Sequence, residues 1–600
     1  MTTATTRRGP VKTGHEGVFR NPIHRKLRRV LCASATLLTL ISVSHADDAD
    51  RAITRTPIKH VVVIFGENQT FDRYFATYPN AANVPGERSW IGIAASEFHA
   101  HPDTPTVNGL TSTLLYHNPN VTLTGSEANP QRLGPADGVT CDENHGYTAE
   151  QRAVDGGRMD RFVQSTSSTA EGCQLDGSTV MNYFDGNSVT ALWNYAQHYA
   201  MSDAFFDTNY GPSTPGHINL ISGNTHGLIL HGATSNSAVY MNPVDGSQTL
   251  IDNLPGFLDD CGGSVSVEKT GRNIGDLLNT KNITWGWFAT GFAPSQPAVL
   301  NPDGSTNTPA VCGTSHVLHQ FTIDGTTYVV PNPTINFTTD VHTPAADYSN
   351  GDTPFMFYAT TRNPHHLPPS SLAAIGTTDQ ANHQYDTSDF FDALKAGNLP
   401  AVTYIKPPHY ANGHPGYSDP LVSQAYLVQT INAIIMSPEW ESTAIVITWD
   451  DSDGWYDHVY PPVVQPSNTP LDSQCGNGEP APGDGYARCG LGPRIPFLVI
   501  SPWAKRDYVD HTVINYGSLL LFIEQNWGLG FIDGPVAPPP GTGSVDRSSN
   551  SMEALFDFNH EPDLRPLILD PIRGKVVNKQ DAAGQEGDQN QQGDQNQNGG

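Results

Sequence analysis

The chain has 600 residues, with 60 Asp and Glu against 32 Lys and Arg, a formal net charge of -28. A surface this acidic repels polyanions, which argues against a general nucleic-acid binder and against docking on anionic lipid. The length allows a large buried core and two to four domains.

In chain order, the basic cluster Arg25 to Arg29 precedes an apolar run from Val30 to Val43, and Ser44-His45-Ala46 places small residues where a signal peptidase cuts. The pattern predicts a secretory signal peptide over 1–46, with export to the periplasm or the medium. The run is too short for a membrane span, and nothing later supplies one. Without the leader the chain keeps 24 basic and 59 acidic residues, a balance of -35. Phosphorylated substrates stay open, because a metal ion and clustered histidines reverse the sign locally.

Ile58–Phe65 reads as a buried strand and ends in Gly66, Glu67 and Asn68. Residues 88–140 read as loop with short strands, and 230–350 similarly, with a β-prone patch from Thr322 to Val330. Regular α/β signals return at Phe355–Ala359 and Ala401–Ile405. A helix is predicted from Leu421 to Met436, with Leu421, Ala425, Val428, Ile431 and Ile435 on one face. Strands follow at Ala444–Trp449 and Ile495–Ile500, then a helix over Ser518–Asn526. Strands alternating with helices indicate an α/β fold: one large, mostly parallel sheet sandwiched by helices, with the loop-rich insertions forming a lid. A single catalytic domain is expected over 47–570. The Gln/Asn/Gly/Asp tail, 571–600, is expected to be disordered. Six cysteines outside the leader, in an oxidising compartment, predict disulfides. Pairing neighbours in order gives 141–173, 261–312 and 475–489.

The chemistry concentrates at the strand ends. Asp450 and Asp451 directly follow a buried strand, where open α/β sheets place ligands. Two adjacent carboxylates repel unless a cation holds both ionised; as single features they also fit turn or helix caps. With Glu67 and Asn68 they form an all-oxygen set that suits one Mg²⁺, Mn²⁺ or Ca²⁺. Ser213, in Tyr210-Gly-Pro-Ser-Thr-Pro-Gly-His217, stands where a helix begins. Such a serine is ordinarily an N-cap, and the same position suits a nucleophile or a phosphate contact. His145, His365, His366 and His414 lie in loops with Pro or Gly turn chemistry and suggest a rim of imidazoles, cationic at mildly acidic pH.

Six ordered motifs carry a resemblance: VVVIFGENQTFDRYFATYP, DENHGYTAEQRAVDGGRMDRFV, FFDTNYGPSTPGHINLISG, NPHHLPP, ANGHPGYSDP and TWDDSDGWYDHVYPP. Across about residues 57–530 the chain resembles the bacterial phosphoesterase family that joins secreted acid phosphatases with phosphatidylcholine-type phospholipases C, within the alkaline-phosphatase-like superfamily. The resemblance implies Glu67, Asn68, Asp450 and Asp451 as metal ligands, with Ser213 as nucleophile also touching the metal. It implies His145, His366 and His414 around the phosphoryl group, His365 beside them, and Asn68 contacting phosphoryl oxygens. The phospholipases carry Thr after Gly-Pro and then Pro-Asn-Arg, whereas this chain reads Gly-Pro-Ser-Thr-Pro-Gly-His; it also ends without the further C-terminal β-domains common among them. Both departures lead to the expectation of an acid phosphatase that cleaves phosphomonoesters through a phosphoserine, with His366 or His414 protonating the leaving alcohol. The alternatives are a phospholipase C acting on phospholipid headgroups and an inactive surface-binding homologue. A sulfatase is disfavoured, since no Cys/Ser-x-Pro-x-Arg segment is present.

Overall fold

The computed structural model describes residues 53–577, apart from 90, 91, 93, 244, 331–336, 466, 468, 470–474, 476–487 and 539–542. The expected signal peptide and the tail from 578 onward lie outside the described residues. Residues 571–577 are still tied to the domain, through Asn194 Nδ2 donating to the Gly574 carbonyl at 2.8 Å and Val577 N–H to the Ile568 carbonyl at 2.9 Å.

Eight strands form the central sheet: β1 (His60–Gly66), β2 (Ala200–Ser202), β3 (Trp285–Ala289), β4 (Gln384–Asp386), β5 (Val402–Lys406), β6 (Thr443–Trp449), β7 (Phe497–Ile500) and β8 (Tyr508–Asp510). Their order is β4-β3-β5-β1-β6-β7-β2-β8. β7 alone runs antiparallel to its neighbours, so the sheet is mixed but mostly parallel, as the sequence predicts. β1, β5 and β6 are apolar and β-branched over most of their length and buried at every position, as strands covered on both faces must be.

The flanking helices include α1 (Phe71–Phe75), α2 (Tyr147–Val154), α3 (Thr190–His198), α4 (Ser213–Ser222), α5 (Thr387–Lys395), α6 (Pro420–Ile435) and α7 (Tyr516–Trp527). α6 begins at Pro420, whose missing N–H falls where the first turn has no partner, and Asp419 caps it by accepting from Leu421 N–H at 2.8 Å. The five residues expected on one face of α6 lie in a wider buried surface that also takes in Val422, Leu427 and Ile434. No helix among the described residues is long and apolar enough to cross a membrane.

Phe355–Ala359 departs from the sequence expectation. Read as a regular α/β signal, it adds no element to the central sheet: Pro354–Phe357 is a single 3₁₀ turn, and all four of its residues are buried. A short apolar run flanked by proline fits either state by periodicity, and Pro354 at the first position sets a helical φ. Residues 230–350, read as loop with short strands, also hold the helix Ile274–Thr280 and the central strand β3; around these, the described residues form small two-stranded sheets, including the hairpin Gln320–Ile323 with Thr326–Val329. The three disulfides join Cys141 to Cys173, Cys261 to Cys312 and Cys475 to Cys489, as neighbour pairing predicts.

α7 braces the strand end: the Tyr516 hydroxyl donates to the Asp450 carbonyl at 3.0 Å. Near its C-terminus Glu524 is buried beside Asp546, and both carboxyl groups accept from Ile532 N–H, at 3.1 and 2.9 Å. Burial, and then the Asp546 charge, push Glu524 up to about 10. The unfolded chain therefore releases this proton from about pH 4.5, while the folded chain keeps it. This group consequently lowers stability progressively as pH rises between those limits. Glu524→Gln keeps the acceptor and removes the titration. It is expected to raise unfolding free energy by about 1 kcal/mol or more at pH 8, with no gain near pH 4. Denaturant melts at the two pH values check this; a gain independent of pH, or a loss at pH 8, contradicts it.

Candidate active site

Parallel pairing sets the site. Gly66 of β1 stands opposite Trp449 of β6, so Glu67 and Asn68 leave the sheet beside Asp450 and Asp451. Gly66 is required there: a Cβ would meet Trp449 Nε1 at 2.8 Å and the Asn412 carbonyl at 3.0 Å. Asn68 adopts φ 59°, a left-handed conformation that asparagine tolerates better than most residues, and its N–H approaches Asp450 Oδ1 at 3.4 Å. The loop after β6 folds on its own carboxylates: Asp450 Oδ1 accepts from Asp451 N–H at 3.0 Å, and Asp451 Oδ1 from Asp453 N–H at 2.7 Å.

A buried guanidinium locks the two strand-end turns together. Arg494 pairs with Asp72 of α1 at 3.0 Å and with Asp457 at 3.1 Å, and also donates to the carbonyls of Asn108 and Asp203. Four partners take four of its five N–H donors, which offsets the cost of burying such a charge.

Ser213 is not an N-cap. It is the first residue of α4, Pro212 occupies the capping position, and no side chain of that residue caps the helix. The first-turn N–H of Thr214 goes instead to Asn253 Oδ1 at 2.8 Å. The Ser213 hydroxyl points to the strand end and donates to Asp451 Oδ2 at 3.3 Å. α4 approaches this closely because Gly216 has no side chain; a Cβ would lie 2.1 Å from the Asp450 carbonyl oxygen. Ser213 thus sits at the positive end of a buried helix and against a carboxylate, an arrangement that suits an alkoxide or a phosphoryl oxygen.

The electrostatics favour a cation. Burial raises Asp450 well above the usual carboxylate range, and the Asp451 charge raises it further. Burial also raises Asp451, while the His145 charge opposes the shift. Asn68 Oδ1 and Nδ2 and Asp450 Oδ2 are buried without a hydrogen-bond partner. Orphaned oxygens among repelling carboxylates are the donors a hard divalent ion takes. Asn68, Asp450, Asp451 and Ser213 therefore fit such an ion. Glu67 is shared: its carboxylate meets Lys406, and Tyr417 donates to its Oε2 at 3.3 Å.

Two of the four expected histidines join the cluster. His145 lies 3.1 Å from Asp453 Oδ1, and its ring packs edge-on against His414, with centroids 5.8 Å apart. Although burial opposes protonation, the charges of Asp451, Asp453 and Asp142 hold His145 well above the ordinary histidine range. His414 corrects the expectation of a uniformly cationic rim. Burial, and then the neighbouring His145 charge, hold it well below the ordinary range, so it is a neutral imidazole. Its Nδ1 donates to the Pro415 carbonyl at 2.6 Å, which leaves Nε2 as an acceptor.

His365 and His366 are bonded elsewhere. His366 bridges Asp259 and the Phe292 carbonyl, each at 2.8 Å, and lies beside Cys312; His365 contacts Asp260 at 3.1 Å. Both line an apolar cavity of about 240 Å³ with Phe292, Pro294 and Leu367. The link toward the cluster is Tyr348, which donates to Asp259 and also feels the Asp352 charge.

Sequence reading missed four contributors. Lys406 ends β5 beside β1, Asp352 arrives from the long insertion, and His217 lies one turn along α4. Glu150 of α2 accepts from Gly211 N–H at 2.8 Å and from the Ser452 hydroxyl, joining the segment before Ser213 to the loop after Asp451. Glu150 and His217 stood inside quoted motifs, and Lys406 directly follows an expected strand; nothing local marked Asp352.

Comparisons with known proteins find similarity along most of the chain. Non-hemolytic phospholipase C of Burkholderia pseudomallei is 24% identical over 493 residues, covering 80% of this chain and 56% of that protein. Phospholipase C B of Mycobacterium tuberculosis is 22% identical over 544 residues, covering 87% and 82%. The chain spans only 56% and 54% of the Burkholderia and Pseudomonas aeruginosa relatives. Among solved structures, an alkaline phosphatase superfamily protein from Vibrio parahaemolyticus aligns at 12% identity and a TM-score of 0.23, over 72% of this chain and 76% of that one. The Phosphoesterase family profile matches residues 58–530, a span that runs from β1 through α7 and holds Glu67, Asn68, Ser213, Asp450 and Asp451, so the chain belongs to the Phosphoesterase family.

Proposed function

We propose that this protein is a secreted, metal-dependent hydrolase of phosphoric esters in which Ser213 is the nucleophile and phosphomonoesters are the preferred substrates. The carrying observation is the Ser213 hydroxyl, aimed from a buried helix N-terminus at Asp451 and away from any capping role. When bound by Asn68, Asp450, Asp451 and Ser213, with Glu67 adjoining, a divalent ion would lower the hydroxyl pKa and neutralise phosphoryl charge. Ser213 attacks phosphorus in line, displacing the alcohol; water then releases phosphate from the seryl ester.

His145 is the better-placed cation for the phosphoryl group or the leaving oxygen, since His414 is neutral and His366 is engaged by Asp259. Its acidic neighbours favour the imidazolium, so the need for that form does not by itself set an acidic optimum. His145 and Lys406 add positive charge beside the metal ligands, which suits a dianionic monoester. Three disulfides support an oxidising, exported location. The names of the curated relatives favour a second reading, phospholipase C action on a phosphodiester.

A side-by-side assay separates the readings: a phosphomonoester and phosphatidylcholine, from about pH 4 to 8, with and without chelator. Chelator-sensitive turnover of the monoester is expected to dominate. Preference for the diester selects phospholipase C, and no turnover of either, with metal supplied, leaves an inactive surface-binding homologue.

A further inference from the structure

Glu67, His217 and Asp352 place ligand-type atoms within 4.8 Å of one another, and all three residues are buried. The Lys406 ammonium occupies this nest. Nζ pairs with Glu67 Oε1 and lies 3.1 Å from His217 Nε2 and 3.5 Å from Asp352 Oδ2. Three donors meet three acceptors, which satisfies an ammonium completely. The His217 tautomer agrees: Nδ1 donates to the Ser213 carbonyl at 2.8 Å, which leaves the Nε2 lone pair facing Lys406. Burial pushes His217 down to about 3, so it accepts as a neutral ring. The same ring lies 3.5 Å from Asp450 Oδ2, so the nest adjoins the divalent-ion ligands, and Glu67 belongs to both.

Two carboxylates and an imidazole are a sufficient ligand set for a divalent ion. Hydrolases that use two ions hold them about 3.5–4 Å apart to clamp a phosphoryl group. We propose that Lys406 is a built-in second cation, its ammonium standing in a ligand nest that would otherwise take a second divalent ion. This rests on the divalent-ion reading above. The protein then needs one exchangeable ion where a two-ion site needs two, and positive charge remains beside Glu67 and near Asp450 when that ion is absent.

The test is metal stoichiometry and affinity on the chelator-stripped protein, measured by calorimetric titration with Mn²⁺ and by elemental analysis after dialysis. Wild type is expected to bind one ion. Lys406→Ala, purified in Mn²⁺ so that the emptied nest is filled, is expected to bind two. Lys406→Met keeps the volume without the charge; it is expected to bind one ion about tenfold or more tightly, the effect of removing a like charge a few ångströms away. One ion in Lys406→Ala, or an unchanged or weaker affinity in Lys406→Met, overturns the proposal, and the second result stands even if the alanine variant does not fold. A wild-type protein that binds no ion removes the metal reading, and this proposal with it; one ion in both wild type and Lys406→Ala removes this proposal alone.

Discussion

Ser213→Ala is expected to lower kcat/KM by about 10³-fold or more, since it removes the nucleophile and leaves positioning and charge in place. The fold should survive. The hydroxyl makes one hydrogen bond, to Asp451, and caps nothing, so its loss removes neither packing nor a helix cap. Thermal melting should therefore shift little, and metal content should fall only modestly. Acid quench during turnover should trap a phosphoseryl species on wild type and none on the variant. Substantial activity in Ser213→Ala would sink the assignment and move attention to Thr214, whose buried hydroxyl has no partner.

Asp450→Asn and Asp451→Asn are expected to act in opposite directions on metal binding and on metal-free stability. Each removes a negative charge from a hard-cation site, so affinity for Mn²⁺ should fall by at least about 10–100-fold and turnover with it. In the metal-free protein burial raises the pKa of both carboxylates, and the Asp451 charge raises Asp450 further. A folded pKa raised above the unfolded value makes a carboxylate destabilising once pH exceeds the unfolded value. The amide removes that penalty. Stripped of metal, each variant should therefore melt higher than wild type at neutral pH, with the advantage shrinking as pH falls toward 4. Calorimetric titration and melting curves with and without metal read both effects. Full metal occupancy in both variants, or lower stability of both stripped variants, contradicts an oxygen-liganded site here.

The sheet was legible because its signal is local. β1, β5 and β6 are continuous apolar, β-branched runs, and strands buried on both faces read that way in any chain. Phe355–Ala359 was not, because a short apolar run beside proline is compatible with a strand or a tight helical turn until its packing is known. The grouping of Glu67 and Asn68 with Asp450 and Asp451 was legible for a related reason: these residues directly follow strands, and parallel pairing brings the ends of adjacent strands to one edge. Disulfide pairing between neighbours also followed chain order.

What only the tertiary structure decided is the state of the charged groups. His145 and His414 are alike in sequence context, yet three acidic neighbours hold the first protonated and burial beside that charge keeps the second neutral. Whether Ser213 caps its helix depended on where α4 meets the strand end, a contact set by Gly216 against the Asp450 carbonyl. His366 was taken up by Asp259, and Lys406 by Glu67, His217 and Asp352, partners that lie far from it in the chain. Sequence determines which residue types can bind a metal or carry a proton. Desolvation and the nearest charges, set by packing between distant segments, determine which of them do.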